Sequence, residues 1–362
     1  MCFSKLFSQQ PEVRDYFKVA YDLYEQKKYY DAIIEYGNYI NANKNNADGY
    51  YNRALAKYMM GDYKNAILDY NVSIEKGRTR YDAFYSRAIC YFYLEKYEDA
   101  LKDFDKAVFI NPSHALSFTY KAASMFFLDK FKEALPVINK ALQLDPKYDW
   151  AYYYSSKIRF ENNDLEGSYE DADRAVKLNR QKEFFFQRGY VALEQKKLEQ
   201  SIADYDSTLI IDPKYSDAYY NRSLAKYDQA KYYESLQDCN KSLEINPTKV
   251  DAYYTRALCK FNLKQYKESL PDFNATVDLD PKYYQAYAYR GAANGYLKNY
   301  DESIFDINKS LEFKSDYADA YYYKGLTENY MNKKSEACAD LNKAKQLNFR
   351  GASAKLLEFG CK

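Results

Sequence analysis

Side chains able to catalyse a reaction are scarce in this sequence. The only histidine, His114, lies in a turn between two predicted helices, and no Ser/His/Asp or Cys/His set can be assembled around it. A glycine-rich phosphate-binding loop is absent, and pairs of carboxylates carry little information because 52 acidic residues on helical surfaces produce many such pairs. We therefore predict that the protein is not an enzyme and that it uses no cofactor and no metal.

Cysteines are the next candidates, since thiolates bind zinc and form disulfides. Neither role is indicated, because the six cysteines show no paired spacing and fall at different positions of the repeat described below. We expect reduced, mostly buried thiols and a cytoplasmic location. An alternative concerns the first cysteine, which would be the lipidated start of a lipoprotein if a signal peptide had been removed. The six are Cys2, Cys90, Cys239, Cys259, Cys338 and Cys361.

Charge and hydropathy argue against two classes of function. Lys and Arg number 53 and Asp and Glu 52, so the chain lacks the basic excess of a general nucleic-acid or acidic-membrane binder. No apolar run approaches the roughly 20 residues needed to cross a bilayer. Tyrosine is abundant at 45 residues, whereas Gly and Pro number only 11 and 8, which is typical of a packed helical protein.

The sequence repeats itself with a period of 34 residues. Asp-Ala-Tyr-Tyr occurs at 217–220, 251–254 and 319–322, positions that are 34 and 68 residues apart. The period defines ten repeats, of which 149–181 is one residue short. Residues 1–12 precede them as an amino-terminal extension, and residues 352–362 are predicted to form a capping helix and tail. The repeats are 13–46, 47–80, 81–114, 115–148, 149–181, 182–215, 216–249, 250–283, 284–317 and 318–351.

Each position of the repeat, counted here as a phase from 1 to 34, has its own residue type. Phase 4 is aromatic in all ten repeats, and phases 8 and 20 are always small. Small residues let two antiparallel helices approach closely, while aromatic residues fill the space around the contact. Proline at phase 32 in five repeats ends the second helix, because proline lacks an N–H and has a fixed φ. The pattern therefore predicts an all-α fold of helix pairs.

This pattern resembles the tetratricopeptide repeat (TPR) family over residues 13–351. The resemblance implies a right-handed α-solenoid superhelix of antiparallel helix pairs, whose first helices line a concave groove that binds proteins. The closing segment Ala-Cys-Ala-Asp-Leu-Asn-Lys-Ala-Lys-Gln-Leu is similar to the ends of bacterial TPR proteins, which favours a bacterial source.

By this resemblance the groove would be lined largely by aromatic residues at phase 5, with asparagines at phase 6. We expect a peptide or a partner helix as the ligand, of unknown identity, because tyrosine is favoured at interfaces. The sequence leaves open whether phase 5 faces the groove or packs inside the repeat. It also leaves open a self-associating scaffold, which would be a homo-oligomer, and a carbohydrate or cell-envelope binder. The candidate residues are Tyr51, Asn52, Tyr85, Tyr153, Phe186, Tyr220, Asn221, Tyr254 and Tyr322.

Charges at two phases show matched absences. Phase 7 is basic in eight repeats and phase 23 is acidic in nine, and the repeat without the acid, at Val137, precedes the one with Ser155 at phase 7. We therefore predict eight ion pairs between phase 23 of one repeat and phase 7 of the next, such as Asp69 with Arg87. Because 115–181 lacks one such pair and one residue, we also predict a local change of superhelical geometry there.

Overall fold

The computed structural model describes residues 15–361, in which all regular secondary structure is α-helical. The predicted extension 1–12, with Cys2, lies outside the described residues. No described helix is both long and apolar enough to span a bilayer. The helices are α1 (Tyr16–Glu25), α2 (Tyr29–Ala42), α3 (Ala47–Met59), α4 (Tyr63–Glu75), α5 (Tyr81–Tyr93), α6 (Tyr97–Ile110), α7 (Ala115–Phe127), α8 (Phe131–Leu144), α9 (Asp149–Glu161), α10 (Leu165–Leu178), α11 (Lys182–Glu194), α12 (Leu198–Ile211), α13 (Ser216–Asp228), α14 (Tyr232–Ile245), α15 (Val250–Asn262), α16 (Tyr266–Leu279), α17 (Tyr284–Tyr296), α18 (Tyr300–Phe313), α19 (Ala318–Tyr330), α20 (Lys334–Gln346) and α21 (Ala352–Glu358).

Consecutive helices pack as hairpins, from α1 with α2 to α19 with α20. The turn inside each described hairpin has one residue in the left-handed conformation, at phase 15. This residue is a glycine only at Gly61; elsewhere it carries a side chain, as at Lys27 (φ 60°) and Ala230 (φ 56°). Left-handed backbone is unfavourable for L residues other than glycine, so the packing of the two helices holds these turns in place.

Small residues lie where the two helices of a hairpin cross, as the repeat pattern predicts. Ala54 at phase 8 and Ala66 at phase 20 are both fully buried. The helices approach closely at Gly291, where phase 8 is glycine, because a Cβ added there would lie 2.8 Å from the carbonyl oxygen of Ser303. A larger residue at this phase would therefore force the helices apart.

Proline at phase 32 follows the end of the second helix, which confirms the prediction that proline ends this helix. Each of these five prolines lies two residues beyond the last helical residue, for example Pro112 after Ile110 and Pro281 after Leu279. The residue between them leaves the helical conformation, as Asn111 does at φ -128° and ψ 89°.

The packing divides the chain into two modules, each an α-solenoid. The amino-terminal module ends at Asn179, and the carboxy-terminal module begins at Arg180. Within each module the second helix of a hairpin packs against the first helix of the next, and successive first helices also touch, for example α5 with α7 and α15 with α17. The surface that these first helices form in a module is called the first-helix face below. The change of geometry expected at 115–181 stays a prediction.

The predicted ion pairs between repeats are wrong. Phase 7 pairs instead with phase 23 of its own hairpin, across the contact between the two helices. Arg87 Nε donates to Asp103 at 2.6 Å, and Arg222 Nε donates to Asp238 at 2.8 Å. The carboxylates are buried, so each pair is largely shielded from water. The same pairing joins Arg53 with Asp69, Arg188 with Asp204, Arg256 with Asp272, Arg290 with Asp306 and Lys324 with Asp340.

Where phase 7 or phase 23 lacks an oppositely charged residue in its own hairpin, another nearby side chain is the partner. The missing charges at Val137 and Ser155 therefore do not indicate pairing between repeats. Asp171, which has Ser155 opposite it, accepts a hydrogen bond from that hydroxyl at 2.6 Å and from Arg159 Nε at 2.8 Å. Lys121, which has no acid opposite it, pairs with Asp105 of the preceding hairpin at 2.7 Å. A poorly hydrated carboxylate needs a donor, so a nearby side chain replaces a missing partner.

Contact between repeats uses phase 25 rather than phase 23. Nη1 of Arg87 donates to Asn71 Oδ1 of the preceding hairpin at 2.7 Å, and Nη1 of Arg290 donates to Asn274 Oδ1 at 2.8 Å. One arginine therefore bonds to its own hairpin through two nitrogens and to the preceding hairpin through the third. This fork sets the register between neighbouring repeats.

A disulfide joins Cys338 on α20 to Cys361, which corrects the prediction of unpaired thiols for these two residues. α21 packs against α20, where the first helix of a further repeat would lie. This fold-back brings the cysteines together, with Cα atoms 5.6 Å apart, across a sequence separation of 23. Cys90, Cys239 and Cys259 are free and buried, as expected. Disulfides persist mainly in oxidising compartments, so the argument for a cytoplasmic location does not extend to this pair.

Candidate binding surface

The aromatic residues predicted to line a groove lie on first helices, and none of them is fully exposed. Tyr51 is 9% exposed, packs against Tyr70 with ring centroids 5.6 Å apart, and has its hydroxyl 3.4 Å from Ser86 Oγ. At this residue, phase 5 therefore contributes to packing between the helices. The half-buried members are Tyr85, Tyr153, Phe186, Tyr220, Tyr254 and Tyr322.

The two asparagines predicted at phase 6 have separate environments. Nδ2 of Asn52 donates to the Asp48 carbonyl oxygen at 2.8 Å, one turn earlier in its own helix. Asn221 is half-buried on α13. The side-chain amide of Asn52 is thus already hydrogen-bonded to its own helix. The structure does not indicate a ligand for either asparagine.

An aromatic cluster that the sequence analysis did not assemble lies on the first-helix face of the amino-terminal module. Phe92 is its centre, with ring centroids 5.5 Å from Tyr97, 5.4 Å from Tyr120 and 5.8 Å from Phe127. Tyr97 and Phe127 stack at 4.6 Å with an interplanar angle of 10°. We call these four residues the amino-terminal aromatic cluster. It brings together two successive hairpins, because Phe92 and Tyr97 lie in one and Tyr120 and Phe127 in the next.

A second cluster lies on the first-helix face of the carboxy-terminal module. Phe261 is its centre, with centroids 5.2 Å from Tyr266, 5.4 Å from Tyr289 and 5.9 Å from Tyr296. Tyr266 and Tyr296 stack at 4.6 Å with an interplanar angle of 17°. We call these four residues the carboxy-terminal aromatic cluster. Phases 6, 12, 13 and 17 supply both clusters, and their aromatic residues are visible in the sequence once the phases are compared.

The phenols of these clusters are neutral hydrogen-bonding groups. Burial raises the pKa of Tyr120 and of Tyr289 far above the usual value for tyrosine. The Tyr289 hydroxyl donates to Asp319 Oδ1 at 2.8 Å. The surface therefore offers ring faces and hydroxyl groups, a combination that suits an amphipathic ligand.

Part of each first-helix face is open to solvent. Phe127 is 41% exposed and Tyr93 46% exposed in the amino-terminal module, and Tyr330 is 43% exposed in the carboxy-terminal module. These side chains stand at phase 13, at the end of the first helices. An incoming chain could reach them without unfolding a hairpin.

The hairpin geometry agrees with comparisons to known proteins. Residues 81–114, 216–249 and 250–283 match the tetratricopeptide repeat family. A tetratricopeptide repeat protein from Parabacteroides merdae has a similar structure, covering 68% of this chain and 99% of its own, at 20% identity and a TM-score of 0.54. The APC/C hetero-tetramer Cut9–Hcn1 covers 95% of this chain and 96% of that one, at 12% identity and a TM-score of 0.52.

The chain contains tetratricopeptide repeats. At these identities the similar structures show the fold alone, and no curated protein sequence matches the chain. TPR domains bind protein or peptide partners, and TPR proteins are generally non-catalytic interaction scaffolds.

One ammonium group is placed against aromatic rings on the first-helix face of this TPR chain. Lys157 Nζ lies 4.8 Å from the ring centroid of Phe126, 5.9 Å from Phe127 and 5.6 Å from Tyr153. No carboxylate among residues 15–361 lies within 4.0 Å of it, and burial lowers its pKa although the charge of Glu161 opposes this effect. Cation–π attraction therefore replaces an ion pair here.

The acidic residues at phase 2 are largely engaged by neighbouring basic groups. Arg78 pairs with both Asp48 and Asp82, and Lys249 Nζ lies 2.8 Å from Asp217. These pairs reduce the negative charge at the rim of the first-helix face. The rim is thus not a strongly acidic surface.

An apolar surface pocket of about 670 Å³, open to solvent, lies between α5 and α6 in the amino-terminal module. It is lined by Phe84 and by Phe109 and Ile110 on the second helix α6. Phe109 is 89% exposed. This surface therefore has an exposed aromatic residue outside the two clusters.

His114 has a structural environment. Its Nδ1 lies 2.7 Å from Ser117 Oγ at the start of α7, and its ring packs 4.9 Å from both Tyr81 and Tyr85. Burial lowers its pKa, which favours the neutral form. These contacts place the histidine in the packing at the start of α7.

Proposed function

We propose that this protein is a non-catalytic platform that binds a peptide segment or a helix of a partner protein on its first-helix face. The observation that carries the proposal is the pair of aromatic clusters, each partly open and each built from two successive hairpins. Large flat side chains bury much area on binding while losing little rotamer freedom.

The chemistry of the surface supports binding rather than catalysis. Its phenols are neutral, three of its rim acids (Asp48, Asp82 and Asp217) are paired with basic groups, and the chain's histidine is engaged in packing. Rigid helices hold the rings in position before a ligand arrives, which lowers the entropic cost of association. An extended peptide or an amphipathic helix could place apolar side chains on the stacked pairs and polar groups on the hydroxyls.

Two single substitutions test this proposal. Phe127→Ala removes an exposed ring of the amino-terminal cluster, and Phe109→Ala removes a more exposed ring outside it. We expect the full-length Phe127→Ala protein, used as bait, to recover partners from a lysate of the native source at least about tenfold less than wild type. The Phe109→Ala protein should recover them normally, as quantified by mass spectrometry.

The outcome separates the alternatives from the sequence analysis. If Phe109→Ala abolishes capture and Phe127→Ala does not, binding uses another surface and the proposal is wrong. Recovery of the bait's own sequence alone, with light scattering that shows a homo-oligomer, would establish the self-associating scaffold instead. Selective retention on a glycan array would establish the carbohydrate binder.

A further inference from the structure

The ten repeats consist of two related sets of five. Segment 48–58, Asp-Gly-Tyr-Tyr-Asn-Arg-Ala-Leu-Ala-Lys-Tyr, differs from segment 217–227 only at its second and seventh residues. The offset is 217 − 48 = 169, which is four repeats of 34 and one of 33. Ile-Asn-Lys at 138–140 and 307–309 and Ala-Tyr-Tyr-Tyr at 151–154 and 320–323 have the same offset. The module boundary at Asn179 and Arg180 agrees with this duplication.

The same offset relates the two aromatic clusters residue by residue. Residues of the amino-terminal cluster and their counterparts in the carboxy-terminal cluster are 169 positions apart. The pairs are Phe92 and Phe261, Tyr97 and Tyr266, Tyr120 and Tyr289, and Phe127 and Tyr296. Their central contacts are 5.4 Å in both modules, and their stacked pairs are 4.6 Å in both. Beneath them, Tyr85 lies 6.1 Å from Phe104 and its counterpart Tyr254 lies 6.2 Å from Phe273. The chain thus contains the same surface twice.

The two copies differ in the charge beside the cluster. Lys157, against Phe126, Phe127 and Tyr153, has Leu326 as its counterpart, which is 3% exposed. Lys157 is also the charged exception at phase 9, which is uncharged in the other nine repeats. Conversely, Asp319 has Trp150 as its counterpart and accepts a hydrogen bond from cluster residue Tyr289. One copy therefore carries an ammonium group and the other a carboxylate.

We infer that each chain has two separate ligand sites, one on each aromatic cluster, and that both bind extended partner segments containing aromatic residues. The amino-terminal site selects a segment with acidic side chains, because Lys157 holds a poorly hydrated positive charge without an ion pair. The carboxy-terminal site selects a segment with basic side chains, because Asp319 supplies the negative charge there. This inference rests on the proposed function and specifies its stoichiometry and its ligands.

Overall charge does not favour either class of segment. The chain has a formal net charge of +1 at pH 7, so attraction to the whole molecule is weak for both. Selectivity must then arise from local charge next to the rings. A partner that presents both kinds of segment would engage both sites and gain avidity.

Two short peptides test the inference on the full chain. The probes are acetylated and amidated Glu-Phe-Glu-Phe-Glu and Lys-Phe-Lys-Phe-Lys, with binding and stoichiometry measured by calorimetry at 0.15 M salt. We expect one mole of each peptide per mole of chain, bound without mutual competition. Lys157→Leu introduces the residue that the other module has at this position. It should weaken binding of the acidic peptide at least about tenfold and leave binding of the basic peptide unchanged.

The reciprocal variant completes the design. Asp319→Asn keeps a hydrogen-bond acceptor for the Tyr289 hydroxyl but removes the negative charge. It should weaken binding of the basic peptide and leave binding of the acidic peptide unchanged. Binding of only one peptide, of neither peptide, or of both with no response to these two variants overturns the inference. If binding in that last case is lost in Phe127→Ala and Tyr296→Ala, the proposed function still stands. If it is also insensitive to those two variants, the proposed function fails as well.

Discussion

The amino-terminal and carboxy-terminal modules share one packing scheme but differ beside their aromatic clusters. Their phase-7 arginines, phase-23 acids and stacked rings have the same arrangement. The differences lie at Lys157 and Leu326, at Trp150 and Asp319, and in the disulfide of the last hairpin. Ion pairs inside the hairpins thus define the repeat, whereas side chains at the edges of the first-helix face differ between the modules and are suited to specificity.

The largest effect is expected where a buried pair is shared by both modules. Asp238 receives hydrogen bonds from Arg222 and Lys226, and its counterpart Asp69 receives them from Arg53 and Lys57. Replacing either acid by alanine leaves a lysine ammonium and two arginine nitrogens, all half-buried, without their carboxylate and should cost about 3–5 kcal/mol. Hydrogen exchange of the affected hairpin measures this free energy of opening.

Equal losses for Asp69→Ala and Asp238→Ala would support the equivalence of the modules. Asp206→Ala is the matched control, because this acid is half exposed and holds only the third nitrogen of Arg222. It should cost less than about 1 kcal/mol. A large loss in the control would contradict the assignment of stability to the pair within the hairpin.

The disulfide should distinguish the modules. Cleaving the bond between Cys338 and Cys361 with dithiothreitol, or replacing Cys361 by serine, should destabilise α20 and α21 by up to about 3 kcal/mol, because a loop with a separation of 23 is opened. Faster hydrogen exchange in these helices would show it. The amino-terminal module, whose Cys90 is free and buried, should be unchanged. An equal response in both modules would exclude a local effect of the cap.

A pH-dependent difference arises at a third pair of equivalent positions. Arg159 donates a hydrogen bond to Asp171, whereas its counterpart Glu328 lies near Asp340. Burial, and to a lesser extent the negative charge of Asp340, raises the pKa of Glu328 to about 7. The folded state therefore binds more protons than the unfolded state between pH 4.5 and 7, so stability falls as pH rises through this window. Glu328→Gln should remove about 1 kcal/mol of this dependence.

Urea unfolding of the carboxy-terminal module at pH 5 and pH 8 measures the effect of Glu328. Glu328→Arg, which copies Arg159, should go further and stabilise this module at pH 8 through an ion pair with Asp340. An unchanged pH profile in Glu328→Gln would mean that another group titrates.

The smallest effect is expected at Lys157. Lys157→Leu removes a poorly hydrated charge and introduces the residue that the other module buries at this position. It should stabilise the amino-terminal module by about 0.5–1 kcal/mol, measured from its urea midpoint. A loss of stability would show that the cation–π contacts outweigh the cost of burying the charge.

The sequence by itself determined the helical hairpins, because small residues and terminating prolines act locally and recur with the repeat. It also indicated the free, buried state of Cys90, Cys239 and Cys259. It did not determine which residues become neighbours across helices. Phase 7 pairs with phase 23 of its own hairpin because their helices face each other. The missing acid at Val137 and the missing base at Ser155 could not reveal whether the pairs form within a hairpin or between hairpins.

Tertiary structure alone decided the aromatic surface and the disulfide. Tyr97 and Phe127 lie in different hairpins, and only the packing of one hairpin on the next stacks their rings. Cys338 and Cys361 meet because α21 folds back onto α20. In both cases the physical reason is that residue type and spacing specify a helix and its buried side, whereas contacts across a repeat boundary depend on how the rigid hairpins stack.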